Sequence, residues 1–173
     1  YMNTGGQRSG TTPIKASTAT TPPGKLEPKK DLPLIIADHG IPYVATASIG
    51  FPLDFMEKVR KAISFRGPKY IQVLCPCPVG WGFHESKTVE IARLAVATLA
   101  WPLYEVERGI FRLTFKPKRV RPLREYLQAQ RRFSHLSGKD VDELQKAVEE
   151  RWRKLEMWEL CSRSLTYPVG GSL

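Results

Sequence analysis

The run Tyr70-Ile71-Gln72-Val73-Leu74 stops at Cys75-Pro76-Cys77-Pro78-Val79-Gly80-Trp81. Two prolines fix their own φ and remove two backbone donors, so no strand or helix runs on through them. Gly80 admits backbone conformations that other residues resist. The pattern predicts a strand that delivers its end into a stiff turn carrying two thiols one residue apart. In an open α/β sheet, that rim is where ligand sites lie. The plain alternative is one or two inert cysteines buried in a core, a frequent place for free cysteine.

Around this turn the pattern alternates. Residues 43–49 are β-branched and short, which predicts a strand. Residues 53–65 read as a helix, with Phe55, Val59 and Ile63 recurring every four positions. A second helix is predicted over 86–99, with Val89, Ala92, Val96 and Leu99 on one face, and short strands over 103–106 and 110–115 around Gly109. Strand, helix, strand, helix, strand implies an α/β fold with a mostly parallel sheet and flanking helices. Asp31 is the expected N-cap of a short helix over 31–40, with Pro33 in its first turn and Gly40 as its stop. Residues 123–133 read as a helix started by Pro122. The last helix is predicted over 140–160, with Asp140 and Glu143 as a capping box and Val141, Leu144, Val148, Trp152 and Leu155 as its apolar stripe. The division is then 1–115 for the α/β part and 116–173 for a C-terminal helical extension, whose tail from 167 has no evident structure.

Residues 1–30 are rich in Gly, Thr, Pro and Ser. That composition suits a flexible tail, and equally a loop whose backbone approaches phosphate closely. At 173 residues with 42% hydrophobic content the chain suffices for one domain with a sizeable core. No apolar run approaches a membrane span, and no secretory pattern is present. Three cysteines fit a reducing cytoplasm better than a disulfide framework. A first residue of Tyr1 rather than methionine reads as a fragment, a processed product or an incomplete record. The net charge of +10 is concentrated between Arg108 and Arg132. It admits an anionic partner, nucleic acid included, but no compact nucleic-acid motif accompanies it, and a solvated face is the simpler reading.

Several separate segments, in order, carry a resemblance. They are Tyr1-Met2-Asn3-Thr4-Gly5-Gly6-Gln7-Arg8-Ser9-Gly10, Thr20-Thr21-Pro22 with Gly24-Lys25, and His39-Gly40-Ile41-Pro42-Tyr43-Val44-Ala45-Thr46-Ala47. Pro76-Cys77-Pro78-Val79-Gly80-Trp81, Trp101-Pro102-Leu103-Tyr104-Glu105 and Gln130-Arg131-Arg132-Phe133 follow. Over Tyr1 to about Leu155 the chain resembles the C-terminal half of the β subunit of the pyruvate:ferredoxin oxidoreductase family, within the 2-oxoacid:ferredoxin oxidoreductases. The resemblance implies thiamin diphosphate, Mg2+ and a [4Fe–4S] cluster as cofactors. It implies pyruvate, coenzyme A and ferredoxin as substrates and partners, together with the α, γ and δ subunits and an N-terminal half of β that is absent here. Asn3 matches the family asparagine beside the thiazolium, and Thr4 and Gly5 continue its loop. Cys77 matches the fourth cluster ligand, while the magnesium ligands and three other cysteines fall before Tyr1. Cys75 departs from the family pattern and is read as neutral, and Cys161 as a small packed residue. The close alternative is a relative acting on branched-chain or aryl 2-oxoacids, and the one of another class is a basic nucleic-acid-binding protein.

The remaining candidates carry plainer readings. His39 and His135 read as helix-end residues, and His84 beside the cysteines lacks zinc spacing. Trp81 either lines the site or fills the core. Gln7, Arg8 and Ser9 are cofactor-loop contacts or a surface loop. The basic stretch from Lys118 to Arg124 suits an acidic ferredoxin or the phosphates of coenzyme A. In isolation, an unpaired parallel edge predicts poor solubility or obligatory pairing.

Overall fold

The computed structural model describes residues 3–164; the tail expectation and the Tyr1-Met2 start of the loop lie outside them. A long irregular segment comes first, then α1 (Leu32–Ala37), β1 (Tyr43–Ser48), α2 (Pro52–Ser64) and β2 (Lys69–Leu74). After the cysteine turn follow α3 (Pro78–Trp81), α4 (Thr88–Ala97), β3 (Leu103–Glu107) and β4 (Ile110–Phe115). The chain closes with α5 (Leu123–Gln128) and α6 (Gly138–Ser164). The sheet order is β2-β1-β3-β4.

The α/β architecture with flanking helices and a C-terminal helix is as expected. The pairing inside it is mixed: β1 and β2 are parallel, whereas β3 runs antiparallel to both β1 and β4. The reason lies in α4, which does not carry the chain back to the start of the sheet. Ser48 at the end of β1 donates to Ala92 O of α4, and Trp101 Nε1 donates to Ala47 O at 2.9 Å. β3 therefore begins where β1 ends and must run the other way. Arg108 and Gly109, both at positive φ, then close the β3–β4 hairpin as a two-residue turn.

All six residues of β1 are buried, as a central strand covered on both faces requires. Val44 packs with Tyr104, Val106, Phe111, Leu113 and Leu155 under α1 and α6, while Tyr43 and Ala45 pack with Ala62 of α2. In α2 the buried positions are Lys58 and Ala62, and Val59 and Ile63 are exposed. The four-residue spacing located the helix but not its inner face. Lys58 can face inward because its ammonium donates to Thr46 O, Thr114 Oγ1 and Asp54 Oδ2 at 2.8, 2.7 and 2.6 Å.

Two expected caps are used otherwise. Asp31 makes no cap bond; it accepts from Tyr104 OH and pairs with Arg151 of α6. The capping box of α6 is Ser137 with Asp140: Ser137 N–H donates to Asp140 Oδ2 at 2.9 Å and Asp140 N–H to Ser137 Oγ at 3.2 Å. Asp140 and Glu143 together hold Lys15 of the N-terminal segment. That segment is no loose tail, since Thr12 and Ala16 are fully buried. The edge strand β4 is covered by α6, whose Ser162 and Glu159 accept the N–H groups of Phe111 and Leu113 at 3.1 Å each.

Candidate cofactor-facing site

The parallel strands β1 and β2 end side by side, and the cysteine turn leaves the end of β2. A cleft of about 620 Å³ opens there, with Asn3, Thr4, Gln72, Cys75, Cys77 and Trp81 on its walls. The sequence candidates from the loop and from the turn therefore meet in one place, although more than seventy residues separate them.

They meet backbone to backbone. A Cβ placed on Gly80 would stand 1.4 Å from Thr4 O, and one on Gly5 would stand 2.2 Å from Gly80 O. Gly5 also sits at φ +88°, where side chains are strained. Ala19 N–H and Thr20 N–H donate to Gly5 O and Gly6 O at 3.0 and 3.1 Å, tying the loop from its other side. Trp81, 1% exposed, donates its indole N–H to Asn3 O at 2.7 Å. Trp81 thus both fills the core and lines the site.

Cys77 is the N-cap of α3 and is half-buried; its Sγ accepts the Gly80 N–H at 3.4 Å. A backbone N–H aimed at a ligating sulfur tunes whatever metal it holds. Cys75 is exposed on the same cleft. Among the described residues no group of three or more His, Cys, Asp or Glu could hold a metal ion. The chain's donor set thus fits one corner of a four-thiolate cluster and does not close one. Gln72 Oε1, buried on β2 and facing no donor among the described residues, leaves an unmet acceptor beside the turn.

The residue that sequence reasoning missed is Arg132. The sequence places it in a basic run and in the matched segment Gln130-Arg131-Arg132-Phe133 without giving it a role, yet it is 4% exposed. Its Nη1 donates to Asn3 Oδ1 at 2.9 Å and its Nε to Gln130 Oε1 at 2.9 Å, and its guanidinium stacks 3.7 Å from the Trp81 ring centroid. Burial pushes its pKa down to about 10, against the opposing influence of Tyr126 and Cys77. It remains a cation at neutral pH. Arg131 next to it is exposed, and no local signal separates the two.

The rest of the basic run is dispersed. Arg112 pairs with Glu105, Lys116 with Glu159 and Arg121 with Glu125, while Lys118, Arg119 and Arg124 are exposed. Arg8 pairs with Glu27 and Gln7 is exposed, so these two stay on the outer side of the loop, whereas half-buried Ser9 bonds to buried Thr12. His39 contacts Ile35 O, His84 contacts Ser86 and His135 contacts Ser17. Cys161 is exposed rather than buried. It lies two residues beyond Glu159, roughly 200° round α6 from the side that covers β4.

No family model matches the chain. The pyruvate synthase subunit PorB of Methanocaldococcus jannaschii is 54% identical over 160 residues, covering 90% of this chain and 54% of the relative. The PorB subunit of Thermotoga maritima is 48% identical over 165 residues, 90% of this chain and 51% of the relative. The ketoisovalerate oxidoreductase subunit VorB of Pyrococcus abyssi is 46% identical over 164 residues, 90% and 52%. This chain belongs to the PorB and VorB family of subunits. It spans about half the length of the curated relatives it matches. A PorB and a VorB subunit stand at 48% and 46%, so identity alone does not choose between the two named substrates. Among the described residues no helix is long and apolar enough to cross a membrane.

Proposed function

We propose that this chain is part of the β subunit of a 2-oxoacid:ferredoxin oxidoreductase. The reaction is the oxidative decarboxylation of pyruvate with coenzyme A to acetyl-CoA and CO2, two electrons leaving singly to ferredoxin. The observation that carries the reading is the meeting of the Asn3-Thr4-Gly5 loop and the Cys77 turn in one cleft. When bound, thiamin diphosphate supplies the carbanion and electron sink that decarboxylation needs, and an iron–sulfur cluster accepts electrons one at a time.

This chain's residues have narrower tasks. Asn3 offers a neutral amide N–H to negative charge developing on the substrate carbonyl oxygen, without protonating a carbanion. Gly5 and Gly80 let the two backbones touch, which keeps Asn3 and Cys77 on one cleft. Cys77 offers one thiolate; the other ligands and those of Mg2+ come from outside this chain. Buried Trp81 closes the inner wall against water. The relatives named pyruvate synthase favour pyruvate, and those named ketoisovalerate oxidoreductase favour a branched 2-oxoacid as the second reading.

The test is ferredoxin reduction by the anaerobically assembled complex with coenzyme A and either pyruvate or 3-methyl-2-oxobutanoate. Reduction that needs both the 2-oxoacid and coenzyme A is expected, faster with pyruvate. No reduction with any 2-oxoacid overturns the proposal.

A further inference from the structure

We propose that Arg132 is a positioning residue that locks the Asn3 side-chain amide with its nitrogen turned toward the cleft. The locking stands on geometry; what the nitrogen meets there rests on the function proposed above.

The chemistry of the donors fixes the orientation. A guanidinium carries only donors, whereas an asparagine amide carries one oxygen and one NH2 group. Arg132 Nη1 lies 2.9 Å from the Asn3 side-chain atom it faces, and that atom must be the oxygen. The reverse rotamer would set donor against donor. The NH2 group is then turned away from Arg132. Among the described residues it has no acceptor, on a side chain that lines the cleft.

Arg132 is itself oriented by the same logic one step back. Gln130, 2% exposed, donates Nε2 to Tyr126 O at 2.6 Å, so its oxygen faces the other way and accepts Arg132 Nε at 2.9 Å. The guanidinium is sandwiched by contacts with Trp81 and Phe133 at 3.7 and 4.9 Å. Trp81 meanwhile holds the Asn3 backbone oxygen at 2.7 Å. The main chain and the side chain of Asn3 are thus gripped by two groups stacked on each other. The relay runs from α5 through Gln130 and Arg132 to Asn3, and each amide in it has one permitted orientation.

The charge has a use as well. Arg132 forms no ion pair among the described residues; its partners are two amides, a phenol and two rings. A buried cation costs stability to desolvate, and an apolar residue of like size would avoid that cost. Placed on Asn3 Oδ1, the charge draws electron density from the amide and strengthens the outward N–H as a donor. It also adds positive potential where an oxyanion would develop.

Asn3 is the only asparagine of the chain. With 15N at asparagine in the assembled complex, the Asn3 side-chain amide pair is the one lost in Asn3→Ala. In the parent this pair is expected to be rigid. In Arg132→Met it should lose order, with thiamin and iron contents unchanged. Should Arg132→Met fail to assemble, Arg132→Lys keeps the charge and stem but not the fork, and the same loss of order is expected. An amide equally rigid in both variants overturns the locking. For the consequence, Asn3→Ala and Arg132→Met should each lower kcat for the 2-oxoacid by about a hundredfold with KM little changed. The double variant should fall no further than Asn3→Ala alone. Losses that multiply mean that Arg132 does not act through Asn3, and overturn the proposal. A parent complex without 2-oxoacid activity would sink the function proposed above, while the amide measurement still decides the locking.

Discussion

Gly80→Ala is the smallest change that should pull the site apart. The new methyl carbon would stand 1.4 Å from Thr4 O, 2.6 Å from Thr4 C and 3.1 Å from the Gly5 Cα. A carbon–oxygen contact is comfortable at about 3.3 Å, so the loop and the turn must part by about 2 Å. The obstacle is backbone on both sides, and no rotamer relieves it. Overpacking of this kind costs about 1–3 kcal/mol, and losing the Trp81–Asn3 hydrogen bond adds about 1 kcal/mol. A total near 3 kcal/mol corresponds to a melting-point drop of about 6–12 °C for a chain of this size. The assay is thermal unfolding of the assembled protein beside Gly138→Ala, where the added carbon meets nothing within 4 Å. Gly138→Ala should be neutral or slightly stabilising. Gly80→Ala melting within a degree or two of the parent would refute the claim that these two backbones are in contact.

Acid should destabilise the fold through Glu105 and Asp31. Burial acts to raise both pKa values, but hydrogen bonds from Lys61, Arg112 and Tyr43 to Glu105, and the charges of Arg151 and Lys29 beside Asp31, outweigh it and hold both carboxyls low. The unfolded chain then binds these protons more tightly, so the contribution is full above the ordinary values of 4.5 and 3.8 and is lost as pH falls below them. The urea midpoint should be level near neutrality and fall below about pH 4.5, less steeply in Glu105→Gln; an unchanged midpoint at pH 3 contradicts this. Ser137→Ala should cost about 1 kcal/mol by removing the α6 cap, read as a shift in the urea midpoint, and no shift counts against Ser137 as the cap. Glu159→Ala should free the Leu113 N–H on the β4 edge and cost about 1–3 kcal/mol, with faster amide exchange at Leu113; unaltered exchange would mean that α6 does not cover that edge.

Local pattern reached most of the elements, because their signals are local. The β-branched run at β1, the prolines after β2 and the Arg108-Gly109 turn each act within a few residues. The direction of β3 was not legible, since it depends on where α4 ends in space rather than on its periodicity. The inner face of α2 was misread for the related reason that a lysine is buried at 58, which only Thr46, Thr114 and Asp54 make possible. The α6 cap lies three residues earlier than expected because Ser137 precedes the first turn and exchanges hydrogen bonds with Asp140, while Lys15, more than 120 positions away, pairs with Asp140 and Glu143. At the site, Asn3 and Cys77 were found through resemblance, whereas the backbone contact of Thr4 and Gly5 with Gly80, which brings both to one cleft, needed coordinates. The role of Arg132 escaped because an arginine in a basic run is ordinarily solvated, and its burial, its stacking on Trp81 and its bonds to Asn3 and Gln130 are what distinguish it from Arg131.

Iron content decides the central claim, that this chain brings one cluster thiolate to the Asn3 loop. The measurement is iron and visible absorbance of the anaerobically assembled complex carrying the parent chain, Cys75→Ala or Cys77→Ala. The account predicts that Cys75→Ala keeps the parent's iron and that Cys77→Ala loses it. Retention of iron in Cys77→Ala, or loss in Cys75→Ala alone, would contradict it.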